Sequence, residues 1–203
     1  MKPEAPRRWS GGSLVVATGN PGKAVEIADL LAPFEVDVRR LGEFTDVLPD
    51  ETGATFVANA IIKAEAAASA ADLPALADDS GLAVAALDGA PGIHSARWAE
   101  EAGGFSEAMA LLDQRLRGNP DRRAAFHCAL ALAWPDGVTR TFEGIVEGRL
   151  VFPPRGGFGF GYDPVFVPTG EDRTFGEMDP AEKSGRSHRA DAFRKLVAAC
   201  FQT

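Results

Sequence analysis

The passage from Leu14 to Leu31 constrains this chain more than any other. Leu14-Val15-Val16-Ala17 is a short apolar run, and Thr18-Gly19-Asn20-Pro21-Gly22 follows at once. From Lys23 onward Val25, Ile27, Ala28, Leu30 and Leu31 recur at helical spacing until Pro33 stops them. That is a buried strand, a glycine turn and an amphipathic helix in direct succession. The same alternation continues. Val36-Asp37-Val38 reads as a second strand and Leu41 to Leu48 as loop. Ala54 to Ala71 reads as an alanine-rich helix with Phe56, Ala60, Ile61, Ala64 and Ala67 on one face. Leu76-Ala77 enters a strand that carries Asp78-Asp79-Ser80-Gly81 and continues through Leu82-Ala83-Val84.

The second half is patterned differently. Ser106 reads as a helix N-cap, with Met109, Leu111, Leu112 and Leu116 on the buried side. Ala124 to Trp134 and Val138 to Glu147 read as a hairpin about Pro135-Asp136-Gly137. In the glycine-rich stretch from Arg155 to Pro164, Phe158, Phe160 and Tyr162 alternate as they would along a strand, which would put them on one face. Val165-Phe166-Val167 reads as another strand, Asp179 or Pro180 as a helix start, and Ser187 to Phe201 as the closing helix. Alternating strands and helices followed by a hairpin predict an α/β fold with a mixed sheet.

Composition narrows the class of function. At 203 residues and 45 % hydrophobic content the chain can bury one sizeable core. Its net charge of −8 disfavours duplex nucleic acid as a partner, which calls for a broad basic face. It still permits a phosphorylated small molecule, if the few basic residues converge. No apolar run is long enough to span a membrane. Residues 1–12 are polar, lack the apolar core of a secretory signal and read as a flexible tail before the first strand. Cys128 and Cys200 form no CxxC or Cys/His cluster, so neither a disulfide framework nor a zinc site is supported, and a reducing, cytoplasmic setting is expected.

Four motifs could carry chemistry. Thr18-Gly19-Asn20-Pro21-Gly22-Lys23 places a tight turn at a helix start, where backbone N–H groups and the dipole favour phosphate and Lys23 adds a full charge. It is not a Walker A loop, which needs four residues between its glycines and a Ser or Thr after the lysine. Without a ligand the same pattern is an ordinary strand-to-helix turn. Asp78-Asp79-Ser80-Gly81 puts adjacent carboxylates on a strand, where neighbours face opposite ways. Burying either one needs a partner, and Mg²⁺ would be a fitting one; an Asp-Ser-Gly turn is the plainer alternative. The aromatic–glycine loop could be core, or could bring a ring against a nucleobase. Lys183-Ser184-Gly185-Arg186-Ser187-His188-Arg189 gathers four basic groups near a helix start, as a solvated face or as a phosphate and base reader.

Together and in this order, these residues resemble the inosine/xanthosine triphosphate pyrophosphatase family, the HAM1-like house-cleaning enzymes. The resemblance spans about Leu14 to Phe201 and rests on TGNPGK, ETGATFVANAIIKAEAA, LPALADDSGLAVAALDGAPGIHSARWA, FGFGYDPVF and EKSGRSHRADAF. It implies a single domain over residues 13–203, an elongated mixed β-sheet with two α/β lobes flanking a deep substrate cleft, and a homodimer. It implies hydrolysis of deaminated purine nucleoside triphosphates (ITP, dITP, XTP) to the monophosphate and pyrophosphate, which keeps them out of DNA and RNA. By position it implies that Thr18, Gly19, Asn20, Pro21, Gly22 and Lys23 bind the triphosphate, with Lys63 beside them. Glu51 and Asp79 would hold Mg²⁺, with Asp79 as proton acceptor and Lys23 also counted as catalytic. Ser80, Phe160, Gly161, Tyr162, Asp163, Lys183, His188 and Arg189 would bind substrate, the last two near the base edge. Two positions depart from the pattern. Asp50 stands where a second glutamate is common, and Pro21 removes one backbone donor from the loop.

Two other readings compete. A Maf-like nucleotide pyrophosphatase would share the architecture, but the Ser187-His188-Arg189 block fits it poorly. A nucleotide-binding protein without turnover would have no use for the set of Asp79, Glu51 and Lys23.

Overall fold

The computed structural model describes residues 7–47 and 49–201. Among them run six strands in one sheet, ordered β2-β1-β3-β4-β5-β6. These are β1 (Ser13–Ala17), β2 (Asp37–Arg40), β3 (Ala75–Val84), β4 (Arg123–Ala133), β5 (Thr139–Leu150) and β6 (Phe166–Pro168). The helices are α1 (Pro21–Leu31), α2 (Phe56–Ala71), α3 (Ser95–Ala102), α4 (Phe105–Arg115), α5 (Pro180–Ser184) and α6 (His188–Cys200). β1 pairs in parallel with β2 and with β3, whereas β5 and β6 are antiparallel, so the sheet is mixed as the sequence predicts. By internal contacts the chain forms two compact units. The first is Met1–Asp79, Ala129–Gly144 and Arg189–Thr203; the second is Ser80–Cys128 and Ile145–His188.

In the first unit α1 begins with Pro21, where a missing N–H costs nothing because that donor has no helical acceptor. Asn20 caps the helix, its Oδ1 accepting from Lys23 N at 3.1 Å. α2 is capped by Thr55, which accepts from Ala58 N at 3.1 Å. Ala60, Ala64, Ala67 and Ala68 of α2 bury against Ala75 and Ala77 of β3 and Ala129, Ala131 and Ala133 of β4. Small side chains on both elements let the helix approach the sheet closely. Phe56 and Ile61, expected on the same buried face, pack only at its margin. The predicted loop after β2 opens with a 3₁₀ turn over Leu41–Glu43; Leu48 lies outside the described residues.

The described part of the N-terminal segment is not a loose tail. Residues 1–6 lie outside the described residues, but Trp9 is buried, its ring 4.9 Å from that of Phe201 and its backbone N–H donating to Cys200 O at 2.8 Å. The Arg7 guanidinium sits 5.1 Å from the Trp134 ring and pairs with Asp136. A polar sequence concealed one aromatic anchor.

The second unit is built on Leu82, Val84, Met109, Leu112, Leu116, Phe126, Tyr162, Phe166, Phe175 and Met178. α3, unpredicted, is short and ends at Gly103 (φ +93°) and Gly104 (φ +145°). These glycines allow the chain to restart a helix immediately, so Gly104 takes the N-cap position and Ser106, predicted there, falls inside the first turn of α4.

Candidate active site

The first unit holds a convergent group of charges. Strand order β2-β1-β3, with both pairs parallel, makes the C-terminal end of β1 a switch point, where α/β sheets bind ligands. The last β1–β3 pair is Ala17 with Ala77. The residues that follow it are Thr18–Lys23 after β1 and Asp78-Asp79 along β3, so the two candidate motifs adjoin. The loop backbone is organised by its own side chains: Thr18 Oγ1 accepts from Asn20 N at 3.1 Å, and Asn20 takes the Lys23 N–H. Thr18, Gly19, Asn20 and Pro21 line an 810 Å³ cavity bordered by Val25, Val38 and Arg40.

The two aspartates part as neighbours on a strand must. Asp78, 1 % exposed, receives Lys23 Nζ at 2.7 Å and Arg189 Nε at 3.1 Å. Arg189 also pairs with Glu26 of α1 and is fully buried. Asp79 receives Lys63 Nζ at 3.0 Å, and the same ammonium lies 2.6 Å from Glu51 Oε1. Asn59 Nδ2 approaches the second oxygen of Asp79 at 3.4 Å. Burial pushes the Asp79 carboxyl above the ordinary carboxylate range, against the pull of Lys63 and Lys23. Burial works to lower the Lys63 ammonium, but Asp79 and Glu51 outweigh it and leave it raised. The partner that each buried aspartate needs is therefore a lysine of this chain.

Glu51 and Asp79 converge on one cationic position, with Glu51 still about 40 % exposed. Among the described residues no group of three or more His, Cys, Asp or Glu side chains is placed to hold a metal ion. Two carboxylates on a common cation with open access suit Mg²⁺, which takes one or two carboxylates together with substrate phosphates and water.

In the second unit the aromatic loop is not a strand. Gly159 (φ +73°) and Gly161 (φ +66°) turn it through conformations that other residues resist, and the three rings diverge. Phe158 is exposed, Phe160 is half-buried, and Tyr162 is in the core with its hydroxyl donating to Ser95 O at 3.1 Å. Asp163 folds the loop back: its Oδ2 accepts from Phe160 N at 2.8 Å and from Lys183 Nζ at 2.6 Å. The Lys183 ammonium also lies 4.7 Å from the centre of the Phe160 ring. His188 is buried and stacked on Phe126, ring centroids 4.9 Å apart and planes within 11°. Ser80 is half-buried in β3.

The structure thus brings Thr18–Lys23, Glu51, Lys63 and Asp79 together in one unit, and Phe160–Asp163, Lys183 and His188 in the other. Arg189, expected at a base edge, instead spends its guanidinium on Asp78 and Glu26 of its own unit. Asn59 and Glu26 escape a sequence reading, which marks Asp78 as a candidate but not its partners Lys23 and Arg189. Helical spacing marks Asn59 as one position of an alanine face, and only the buried fold shows what its amide meets.

Fold and site define an α/β protein with a capped glycine turn at the switch point of its parallel strands, backed by buried carboxylate–lysine pairs. The family model described as "Ham1 family" matches residues 14–199, and the chain belongs to that family. A protein of Rhodospirillum centenum named dITP/XTP pyrophosphatase is 57 % identical over 200 residues, covering 97 % of this chain and 98 % of that one. One of Caulobacter vibrioides with the same name is 56 % identical, covering 94 % and 99 %. Among solved structures, a HAM1 protein from Coxiella burnetii superposes with TM-score 0.84 at 41 % identity, covering 92 % of this chain and 96 % of that one. The Ham1 protein of Staphylococcus aureus gives 0.82 at 39 %, with the same coverages.

Proposed function

We propose that this chain hydrolyses deaminated purine nucleoside triphosphates, ITP, dITP and XTP, to the monophosphate and pyrophosphate, with Mg²⁺, as a cytoplasmic homodimer. The observation that carries this reading is the near-full-length identity of 57 % to a protein named for dITP and XTP. The convergence of Glu51, Lys63 and Asp79 beside the Thr18–Lys23 turn supplies the chemistry.

In this reading Glu51 and Asp79 would hold the metal, which when bound would supply charge neutralisation for the triphosphate. Lys23 and Lys63 neutralise phosphate charge, each moving from an aspartate it already faces. Asp79, on β3 beside the Thr18–Lys23 turn, accepts the proton of the attacking water. The new bond joins that water oxygen to the α-phosphorus. The bond from the α-phosphorus to the bridging oxygen breaks, and pyrophosphate leaves with the electron pair. Most of the acceleration comes from positioning and charge.

His188, held flat by Phe126, is the donor proposed for the C6 oxygen of hypoxanthine or xanthine, and Lys183, held by Asp163, is a further cation proposed for phosphate. Adenine presents an amino donor at C6 and would leave the His188 donor unpaired. Arg189 acts through Asp78, whose charge it holds.

The test is pyrophosphate release from ITP, dITP, XTP, dATP, dGTP and dTTP, with and without Mg²⁺. Mg²⁺-dependent release from the first three alone is expected. Release from dTTP instead would overturn the purine reading.

A further inference from the structure

We propose that Asn59 is a positioning residue: one buried carboxamide that orients Asp79 and ties it to the segment carrying Glu51. The inference rests on the function proposed above for those two carboxylates. Asn59 lies on α2 and is 1 % exposed, in a helix whose other buried positions are alanines. A side-chain amide buried there is costly unless it is hydrogen-bonded at both ends. Its Oδ1 accepts from Gly53 N at 2.8 Å, and its Nδ2 faces Asp79 Oδ2 at 3.4 Å. The partners fix the amide's orientation, since only its oxygen can take the N–H and only its nitrogen can donate to the carboxylate.

The geometry has a simple logic. Asn59 and Lys63 are one helical turn apart on α2 and therefore share a face. Each addresses a different oxygen of Asp79: Asn59 meets Oδ2 and Lys63 meets Oδ1. Each also reaches the Glu51 segment, Lys63 at the carboxylate itself and Asn59 at Gly53, two residues on. One face of one helix thus sets both the orientation of Asp79 and the position of Glu51.

Gly53 completes the link. A Cβ there would lie 2.6 Å from Asn59 Oδ1 and 2.7 Å from Ala58 Cβ, so this approach of chain to helix is open to glycine alone. At 3.4 Å the bond to Asp79 is long, and its value is directional more than energetic.

The experiment compares the full-length chain with Asn59→Ala, Asn59→Ser and Gly53→Ala. It follows kcat and KM for ITP, Mn²⁺ binding without nucleotide by electron paramagnetic resonance, exchange of the Gly53 N–H by NMR, and the thermal midpoint. Asn59→Ala is expected to lower kcat and weaken Mn²⁺ binding by about 10–100-fold, as loss of a group supporting metal ligands does. KM for ITP should change little, and Gly53 N–H exchange should quicken. Gly53→Ala strikes the same link from its other end and should show the same pattern. The two together should cost no more than either alone. Asn59→Ser, which keeps a small polar group, should fall between. Folded variants whose kcat and Mn²⁺ binding stay within about twofold of wild type would overturn the proposal. So would a loss confined to the thermal midpoint. A wild-type chain that releases no pyrophosphate would remove the functional reading. The Gly53 N–H exchange would then decide the Asn59 link alone, and an unchanged rate in Asn59→Ala would overturn it.

Discussion

Lys183 Nζ lies 2.6 Å from Asp163 Oδ2, and neither side chain is more than 4 % exposed. Twenty residues separate them in sequence, and each was expected to face substrate. Breaking a buried pair leaves an uncompensated charge. Lys183→Met or Asp163→Asn should therefore destabilise the protein by about 3–5 kcal/mol, read in urea unfolding. The double variant should recover part of that loss, because it leaves no lone charge.

Tyr162 is the only tyrosine in the chain, so its ionisation can be followed alone. Burial pushes its hydroxyl up to about 12. The folded protein should show tyrosinate absorbance only near pH 12, whereas the urea-unfolded chain should titrate near the ordinary value of about 10. A folded-state value above the unfolded one means that this contribution to stability is complete below about pH 10 and is lost as pH rises toward 12. A midpoint near 10 in the folded protein would place the ring in solvent.

Asp79→Asn keeps the shape of the side chain and removes the carboxylate proposed as base and metal ligand. Turnover of ITP should fall by about 10²–10⁴-fold, the range for a lost general base, while ITP binding by calorimetry persists. Retained turnover would take the proton-accepting role away from Asp79.

Arg189 holds Asp78 from a fully buried position. Arg189→Ala should cost about 3–5 kcal/mol in thermal or urea unfolding. It should also tighten the hold of Asp78 on Lys23, which would then carry more of that buried charge, and so raise KM for ITP. A stable Arg189→Ala protein with unaltered KM would show that the Asp78 contact contributes neither to stability nor to phosphate binding.

The strand–turn–helix at Leu14–Leu31, the alanine helix, the hairpin and the closing helix were legible from the sequence, because each is a local pattern of period, cap and turn. The motifs were legible too, since glycine turns and adjacent acids announce themselves by residue type. The direction of each side chain was not. Alternation along β3 predicts that Asp78 and Asp79 separate. Which lysine each would meet depends on α1 and α2 being laid against the sheet, a matter of contacts many residues apart. The aromatic loop misled because a two-residue period resembles a strand, and only the positive φ angles of Gly159 and Gly161 spread its rings. Trp9 misled because a single aromatic in a polar segment carries no period. The sequence by itself determined the mixed α/β architecture and the residue types at the site. Tertiary structure alone decided the pairings: Lys23 and Arg189 on Asp78, Lys63 and Asn59 on Asp79, Lys183 on Asp163. The physical reason is that a buried charge must find its partner across the packed interior, and sequence spacing does not encode that distance.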